Sequence, residues 1–416
     1  MYPAFRDVSC ACASLSKTPT CSPCDLPEAE SGGFRPLGQI RLQRARFVAR
    51  PNRFLIHGRL RSGELIEAFL PNPGRMDEML FPDTELTVTR AVPGPTRRTE
   101  WTCVGLELNG EPIFLDTHRT NAVARHLIEA RRIPSLRGWR IAGAEVTVGR
   151  SRFDFLLERG RQRLWLEVKS CTLFGNGSAM FPDAVTERGR RHLEELAHLR
   201  QAGNLRPVVL FIVHSLKPRW FLPDYHTDLA FSRTFLAVKP HVRVLPVAVG
   251  WNRDFSLQDE TRLLRIPWRH LRREAEDRGA YLFLLRLAAK RRLQIGHFGE
   301  FTFEAGWYIY VGSAMAGLTA RLRRHQRLRK KRRWHIDYLR QAAAEVVPLP
   351  IRSSQRQECD LAADVDRLYP LALPGFGASD CSCPGHLFGA GEAAPLDDPE
   401  FHALLQRYRM PSILAP

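Results

Sequence analysis

The stretch Arg152-Phe153-Asp154-Phe155-Leu156, followed after a short turn by Leu164-Trp165-Leu166-Glu167-Val168-Lys169, decides how the middle of this chain folds. Both pieces alternate in the period-two manner of strands, whose successive side chains point to opposite faces. Phe153 and Phe155 fall on one face of the first strand and Asp154 on the other. In the second strand Leu164, Leu166 and Val168 oppose Trp165, Glu167 and Lys169. Arg159-Gly160-Arg161 is a turn, so strands at 152–158 and 163–171 are predicted to pair as a hairpin that brings Asp154 alongside Glu167. Glu167 and Lys169 then lie about 6.6 Å apart along their strand, at ~3.3 Å per residue.

Working outward, 121–132 reads as a helix, 141–148 as a strand, and 184–202 as a long helix with Leu193, Leu196 and Leu199 as its apolar stripe. Apolar strands follow at 207–214 and 242–249. This order makes a mixed sheet with flanking helices, an α/β sandwich. Upstream, residues 40–116 carry five or six short strands separated by turn signals, the pattern of a small barrel of the OB type. Its loop Leu70-Pro71-Asn72-Pro73-Gly74-Arg75-Met76 offers Asn72 and Arg75 to a phosphate; plain turn chemistry is the alternative. Downstream, a strand opens at Gly279, a strand pair is expected around 295–303, and a strand at 306–312 precedes a basic helix and a second helix at 335–344. The fold class is thus multidomain α/β, divided as 1–36 (disordered extension), 37–118, 119–257, 258–278 (linker), 279–390 and 391–416 (tail).

The carboxylates of Asp154 and Glu167 suit Mg²⁺ or Mn²⁺, which takes oxygen ligands and keeps several waters. Lys169 beside them can stabilise charge developing on a phosphate. The competing reading is a solvated hairpin face with an incidental salt bridge, worth less than about 1 kcal/mol. Charge favours the first: 62 Lys+Arg against 44 Asp+Glu give +18, a surplus that draws polyanions through counterion release. DNA or RNA is therefore the expected partner. The longest apolar run, Val208 to Val213, is too short to span a bilayer, so no membrane partner is expected. Nine cysteines make no disulfide framework and no secretory signal is evident, which points to a reducing cytoplasm. Cys10, Cys12, Cys21 and Cys24 are spaced roughly like metal ligands, but without hydrophobic support they read as part of a non-functional tail. Nothing implies a small-molecule cofactor.

From about Leu37 to Leu257 the chain closely resembles the sugar fermentation stimulation protein family, described as DNA-binding and as DNA/RNA nucleases. PNPGRM at 71–76, SRFDFLL at 151–157, EVKSCTL at 167–173 and FPDAVTERGRRHLEEL at 181–196 carry the resemblance. It implies an OB-like domain followed by a PD-(D/E)xK nuclease domain with Asp154, Glu167 and Lys169 at its core, and gives weight to Asp183, Arg188, His192 and Glu195. The last three share a helical face by spacing. Glu129 is a further acidic candidate, with a solvated helix residue as the alternative.

The block from Gly279 to about Leu387 resembles the GIY-YIG nuclease superfamily, and more closely a little-characterised branch (DUF123 type) with GWYIYVGSA, WHIDYL and FG-SDC-C–HLF strings. The resemblance assigns Tyr281 and Tyr310 to a cleavage centre and Arg321 to the phosphate. Arg321 and His325 are four apart, hence on one helical face. Tyr281 and Tyr310 are 29 positions apart, so an inserted hairpin is expected between them. No metal-binding glutamate is obvious; Glu358 is the candidate, with Asp337 behind it. Arg321 to Arg333 holds nine Lys or Arg in thirteen residues, and Arg324, Lys330 and Lys331 are expected on a phosphate-binding face. Trp334 to Tyr338 either adds aromatic contacts or starts a helix packed on the core. Cys359, Cys381, Cys383 and His386 have the chemistry of a structural Zn²⁺ site, with buried hydrophobic cysteines as the alternative. Two functional readings follow: a metal-dependent nuclease with a second nuclease-like domain, or a DNA-binding regulator of sugar-metabolism genes that does not cleave.

Overall fold

The computed structural model describes residues 33–91, 94, 97–148, 151–202, 207–296 and 298–410. Cys10, Cys12, Cys21, Cys24 and most of the expected N-terminal extension lie outside these. Residues 33–36, assigned above to that extension, do not behave as a tail: Phe34 stacks on His126 at 4.2 Å and its carbonyl accepts the Leu257 N–H.

The first domain is built from β1 (Leu42–Asn52), β2 (Leu55–Leu60), β3 (Leu65–Phe69), β4 (Glu85–Arg90), β5 (Trp101–Leu108) and β6 (Glu111–Phe114). They pair in the order β3-β2-β1-β4-β5-β6, and β3 closes on β5 in parallel. Closure removes exposed edges, which is the OB solution for short strands. Ala45, Ile56, Ile66, Leu86, Val88 and Leu106 fill the interior.

The second domain continues with α1 (Thr120–Glu129), β7 (Arg140–Val148), β8 (Ser151–Arg159), β9 (Gln162–Cys171), β10 (Leu173–Gly175), β11 (Ser178–Phe181), α2 (Glu187–Ala202), β12 (Val208–Val213), β13 (Trp220–Pro223), α3 (Leu229–Val238), β14 (Arg243–Trp251) and β15 (Leu257–Leu263). Its main sheet runs β15-β14-β12-β9-β8-β7, with β9, β12 and β14 parallel and the others antiparallel. Helix α1 covers one face through Val123, Leu127 and Ile128; Leu193 and Leu196 of α2 cover the other. The expected linker is partly sheet: Leu257–Leu263 pairs antiparallel with β14. As an edge strand it buries little, so its polar sequence, LQDETRL, looked like a connection. A short helix, α4 (Trp268–Glu274), follows.

The third domain comprises β16 (Gly279–Leu287), β17 (Arg291–Gln294), β18 (Glu300–Phe303), β19 (Gly306–Ala314), α5 (Leu318–Gln326), α6 (His335–Ala342), β20 (Glu345–Arg352), α7 (Glu358–Asp366), β21 (Leu387–Gly391) and α8 (Pro399–Arg409). An antiparallel sheet, β20-β16-β19-β21, has α5 and α6 on one face and α7 and α8 on the other. The inserted hairpin expected between the tyrosines is present as β17–β18. The expected C-terminal tail is instead α8, whose Phe401, Leu404 and Leu405 at i, i+3 and i+4 are buried against the sheet. No helix among the described residues is long and apolar enough to cross a membrane.

Candidate active site

The hairpin expected from alternation forms, and its defect makes the site. The β8–β9 ladder runs from Arg159–Gln162 to Phe155–Leu166 and stops there. Beyond it β8 stays paired to β7 as far as Ser151, while β9 stays paired to β12 as far as Cys171. The strands therefore fork at Asp154 and Glu167. Asp154 turns into the opening: its Oδ2 accepts the Val168 N–H at 2.7 Å and its Oδ1 accepts from Asn121 Nδ2 at 2.8 Å. The fork also corrects the single face assigned to the phenylalanines: Phe153 packs with Trp165, Phe155 with the α1 side of the core. Burial, reinforced by the charge of Glu167, holds the Asp154 carboxyl above its usual range.

Glu167 is buried, at 3% exposure. Its Oε1 accepts from Lys169 Nζ and lies 2.6 Å from His192 Nδ1. Its Oε2 is buried with no hydrogen-bond partner. Burial pushes this carboxyl up, but the His192 hydrogen bond and Lys169 outweigh it and hold Glu167 below the usual range. The expected helical face is delivered by α2: one turn after His192, Glu195 accepts from Ser151 Oγ, while Arg188 is exposed. Glu129 lies apart, exposed and paired with Arg125. The helix α1 contributes Asn121 instead, a residue the sequence reading missed. Its position in the first turn of α1 is the only sequence cue, since no periodicity marks a polar residue that reaches across to a strand.

Asn72 and Arg75 are used differently from the expectation. The loop is clamped from within by Arg50, whose guanidinium donates to the carbonyls of Asn72, Gly74 and Arg75. Asn72 is buried, its Oδ1 accepting the Gly74 N–H at 3.0 Å. Asp183 accepts the Met76 N–H at 2.9 Å, and its carbonyl accepts from Arg75 Nε. A Cβ on Gly74 would stand 2.5 Å from Asp183 Oδ2, so only glycine permits this approach. The loop joins barrel to sandwich through Asp183, with Asn72 turned inward and the Arg75 side chain exposed.

Burial raises Asp183 to about 6 and, together with the Asp183 charge, drives Glu78 up as well. A carboxyl raised in the folded state favours folding while protonated, so its contribution is lost as pH rises from ~4 through ~6. Asp183→Asn keeps an acceptor for Met76 and is expected to raise stability above pH 6, on the order of 2 kcal/mol. Thermal unfolding across pH checks this; an unchanged slope between pH 4 and 6 would refute it.

In the third domain β16 and β19 lie side by side and present Tyr281 and Tyr310, ring centroids 6.2 Å apart, to α5. Tyr281 Oη lies 2.9 Å from His325 Nε2, and His325 Nδ1 is 3.8 Å from Asp337 Oδ1. Burial raises both phenols above their ordinary value. Gly312 is required here, since a Cβ would lie 2.4 Å from Tyr281 Oη. Arg321 stacks over Trp334 at 4.3 Å, with its Nη1 3.4 Å from the Ser313 carbonyl. Glu358, at the start of α7, accepts from Ser313 Oγ and stands 3.4 Å from His386 Nδ1. The ligand atoms of Cys359, Cys381, Cys383 and His386 all lie within 4.8 Å of one another.

Asp337 does not stand behind Glu358 as a metal ligand. It is fully buried, held by Arg324 at 2.9 and 3.0 Å, by Lys330 at 2.9 Å and by the Arg333 and Trp334 N–H groups. Trp334 to Tyr338 is thus a helix start on the core. Arg324 and Lys330 are correspondingly turned inward, away from the expected phosphate face. Lys331 remains exposed there with Arg323, Arg327, Arg329, Arg332 and Arg333.

Comparison with known proteins finds matches to three stretches of the chain. Residues 48–115 match the family described as SfsA N-terminal OB domain, 118–255 the sugar fermentation stimulation protein RE domain, and 280–407 the domain of unknown function DUF123. A sugar fermentation stimulation protein homolog of Methanothermobacter thermautotrophicus is 37% identical over 208 residues, 50% of this chain and 85% of that protein. One from Moorella thermoacetica is 39% identical over 194 residues, 46% of this chain and 83% of that protein. A solved structure, described as Pyrococcus furiosus SfsA in complex with Ca²⁺, superposes with a TM-score of 0.50 at 26% identity, covering 56% of this chain and 99% of its own.

Proposed function

This chain belongs to the sugar fermentation stimulation protein family, and on that premise we propose that it is a metal-dependent nuclease acting on DNA or RNA at the Asp154–Glu167–Lys169 fork. The observation that carries the reading is the buried, unpartnered Oε2 of Glu167 beside the Asp154 carboxylate. A buried carboxylate oxygen left without a donor is costly, and a hard divalent cation is the partner such an oxygen set fits. Asp154 and Glu167 Oε2 would hold the ion, Mg²⁺ or Mn²⁺; the Ca²⁺ reported for the Pyrococcus furiosus protein is in keeping with an oxygen site. Bound there, the ion polarises a phosphate and lowers the pKa of its water.

The chain's own groups do the rest. His192 and Lys169 both hold Glu167 Oε1, which keeps the carboxylate ionised and leaves Oε2 buried without a donor. Asn121 and the Val168 N–H orient the Asp154 carboxylate and offset part of the burial that raises it. Lys169, about one-fifth exposed, is the group of this set that can reach a phosphate oxygen. The site works on a nucleic-acid backbone held by the barrel and by the chain's +18 charge. The third domain is read as a second, GIY-YIG-like centre. Arg321 would meet the phosphate there, Tyr281 and His325 share a proton, and Glu358 is the acidic group.

Purified protein incubated with labelled single- and double-stranded DNA and RNA, in Mg²⁺ against EDTA, tests the proposal. Cleavage is expected with Mg²⁺ and none with EDTA. Tight binding without metal-dependent cleavage of any substrate would overturn it in favour of the non-cleaving DNA-binding regulator.

A further inference from the structure

The third domain carries three cysteines and a histidine at one point, and the other nitrogen of that histidine faces the carboxylate of the second centre. Zn–S distances of ~2.3 Å and Zn–N of ~2.0 Å set tetrahedral ligand atoms roughly 3.5–3.8 Å apart. His386 Nε2 is 3.5 Å from Cys381 Sγ, and the four ligand atoms lie within 4.8 Å of one another, so the set is already gathered to receive an ion. These ligands are distant in sequence: Cys359 lies in the first turn of α7, the others in the segment entering β21. His386 is fully buried, and its backbone is fixed by its N–H to the Phe376 carbonyl and by the Val311 N–H to its own carbonyl. Val311 follows Tyr310 in β19, so a ligand of the ion is tied directly to the strand that bears the second tyrosine.

We propose that this chain binds one zinc ion through Cys359, Cys381, Cys383 and His386, and that the ion positions Glu358 at the second centre through the His386 ring. Two routes connect them. Glu358 precedes Cys359 in the chain, and its Oε1 is 3.4 Å from His386 Nδ1, a buried nitrogen with no hydrogen-bond partner. A metal-bound imidazole donates its remaining N–H to a carboxylate, which fixes both ring and carboxylate. On binding, the three thiols release their protons to solvent and the ion takes three thiolates and the neutral Nε2. Glu358 is then held by His386 on one side and Ser313 Oγ on the other, within electrostatic range of Arg321 and the tyrosines. The coupling rests on the reading of the second centre given above; the metal site itself does not.

The test uses the full chain purified under reducing conditions, with metal content measured directly and affinity by competition with a chromophoric chelator. Wild type is expected to retain one zinc. After exchange with Co²⁺ it should show thiolate-to-cobalt absorption, and Cys359→Ser, at an exposed position, should lose that metal. Glu358→Gln is expected to keep one metal but bind it about 10–100-fold more weakly, the usual cost of removing a carboxylate that supports a ligating histidine. A reduced wild-type chain that takes up neither zinc nor cobalt would overturn the site. Glu358→Gln binding as tightly as wild type would overturn the coupling. Complete loss of metal from Glu358→Gln would make Glu358 a ligand and overturn its placement through the His386 ring. A chain that binds zinc with the expected pattern yet cuts nothing would leave this inference standing and defeat the nuclease reading.

Discussion

Glu167→Gln is expected to lower metal-dependent phosphodiester cleavage by about 10²–10⁴-fold, because the several kcal/mol of transition-state charge stabilisation supplied by a bound ion correspond to that range at ~1.4 kcal/mol per decade. The change is nearly isosteric. Its effect is electrostatic: the amide removes the charge from the one oxygen of the fork that has no protein partner, and its NH₂ must face either the opening or the donors on Oε1. Lys169→Ala is expected to reduce cleavage while leaving metal binding at the fork largely intact, since Lys169 touches Glu167 and is not a ligand. Single-turnover cleavage alongside a binding assay separates the two effects. If both variants cut as fast as wild type, the fork is not where the chemistry occurs.

The second large effect concerns stability. Asp337→Asn is expected to destabilise the third domain by about 3–5 kcal/mol, the usual cost of removing one partner from a buried ion pair. Asp337 is fully buried, the Lys330 side chain is 5% exposed, and Arg324 closes the same carboxylate from the other side. Asparagine would leave Lys330 buried without its counter-charge and weaken the cap on α6. The pH dependence has a definite sign. Despite burial, the nearby His325 ring and the close contacts from Arg324 and Lys330 hold Asp337 far below the usual carboxylate range. Its stabilisation is therefore present above the unfolded value of ~3.9 and lost as pH falls below it. Denaturant unfolding of the two proteins at pH 7 measures the difference; a midpoint within error of wild type would show that the cluster contributes nothing net.

Much of the site was legible in sequence because period-two alternation is a local property. Asp154, Glu167 and Lys169 need only adjacent strands and a turn to come together, and the helical spacing of His192 and Glu195 needs only one helix. Tyr281 and Tyr310 were paired instead by the resemblance to the GIY-YIG superfamily, whose spacing implied the inserted hairpin between them. Asn121 could not be found this way, because its bond to Asp154 spans 33 residues and depends on where α1 packs. Arg324 and Lys330 misled in the opposite sense. Inside a run of nine cations nothing local distinguishes the two that a buried Asp337 draws inward. The polar strand β15 was similarly hidden, since an edge strand carries little hydrophobic signal.

By itself the sequence determined the three-part α/β organisation, the hairpin bearing the acidic pair, and the residue types able to hold a metal, because these follow from local periodicity and side-chain chemistry. Only the tertiary structure decided that the strands fork at Asp154 and Glu167 and that one oxygen of Glu167 is left buried and unpaired. It alone turned the Asn72–Arg75 loop into a domain joint and gathered Cys359, Cys381, Cys383 and His386 beside Glu358. Each of these depends on contacts between segments far apart in the chain, where burial and competing partners select which of many similar polar groups meet.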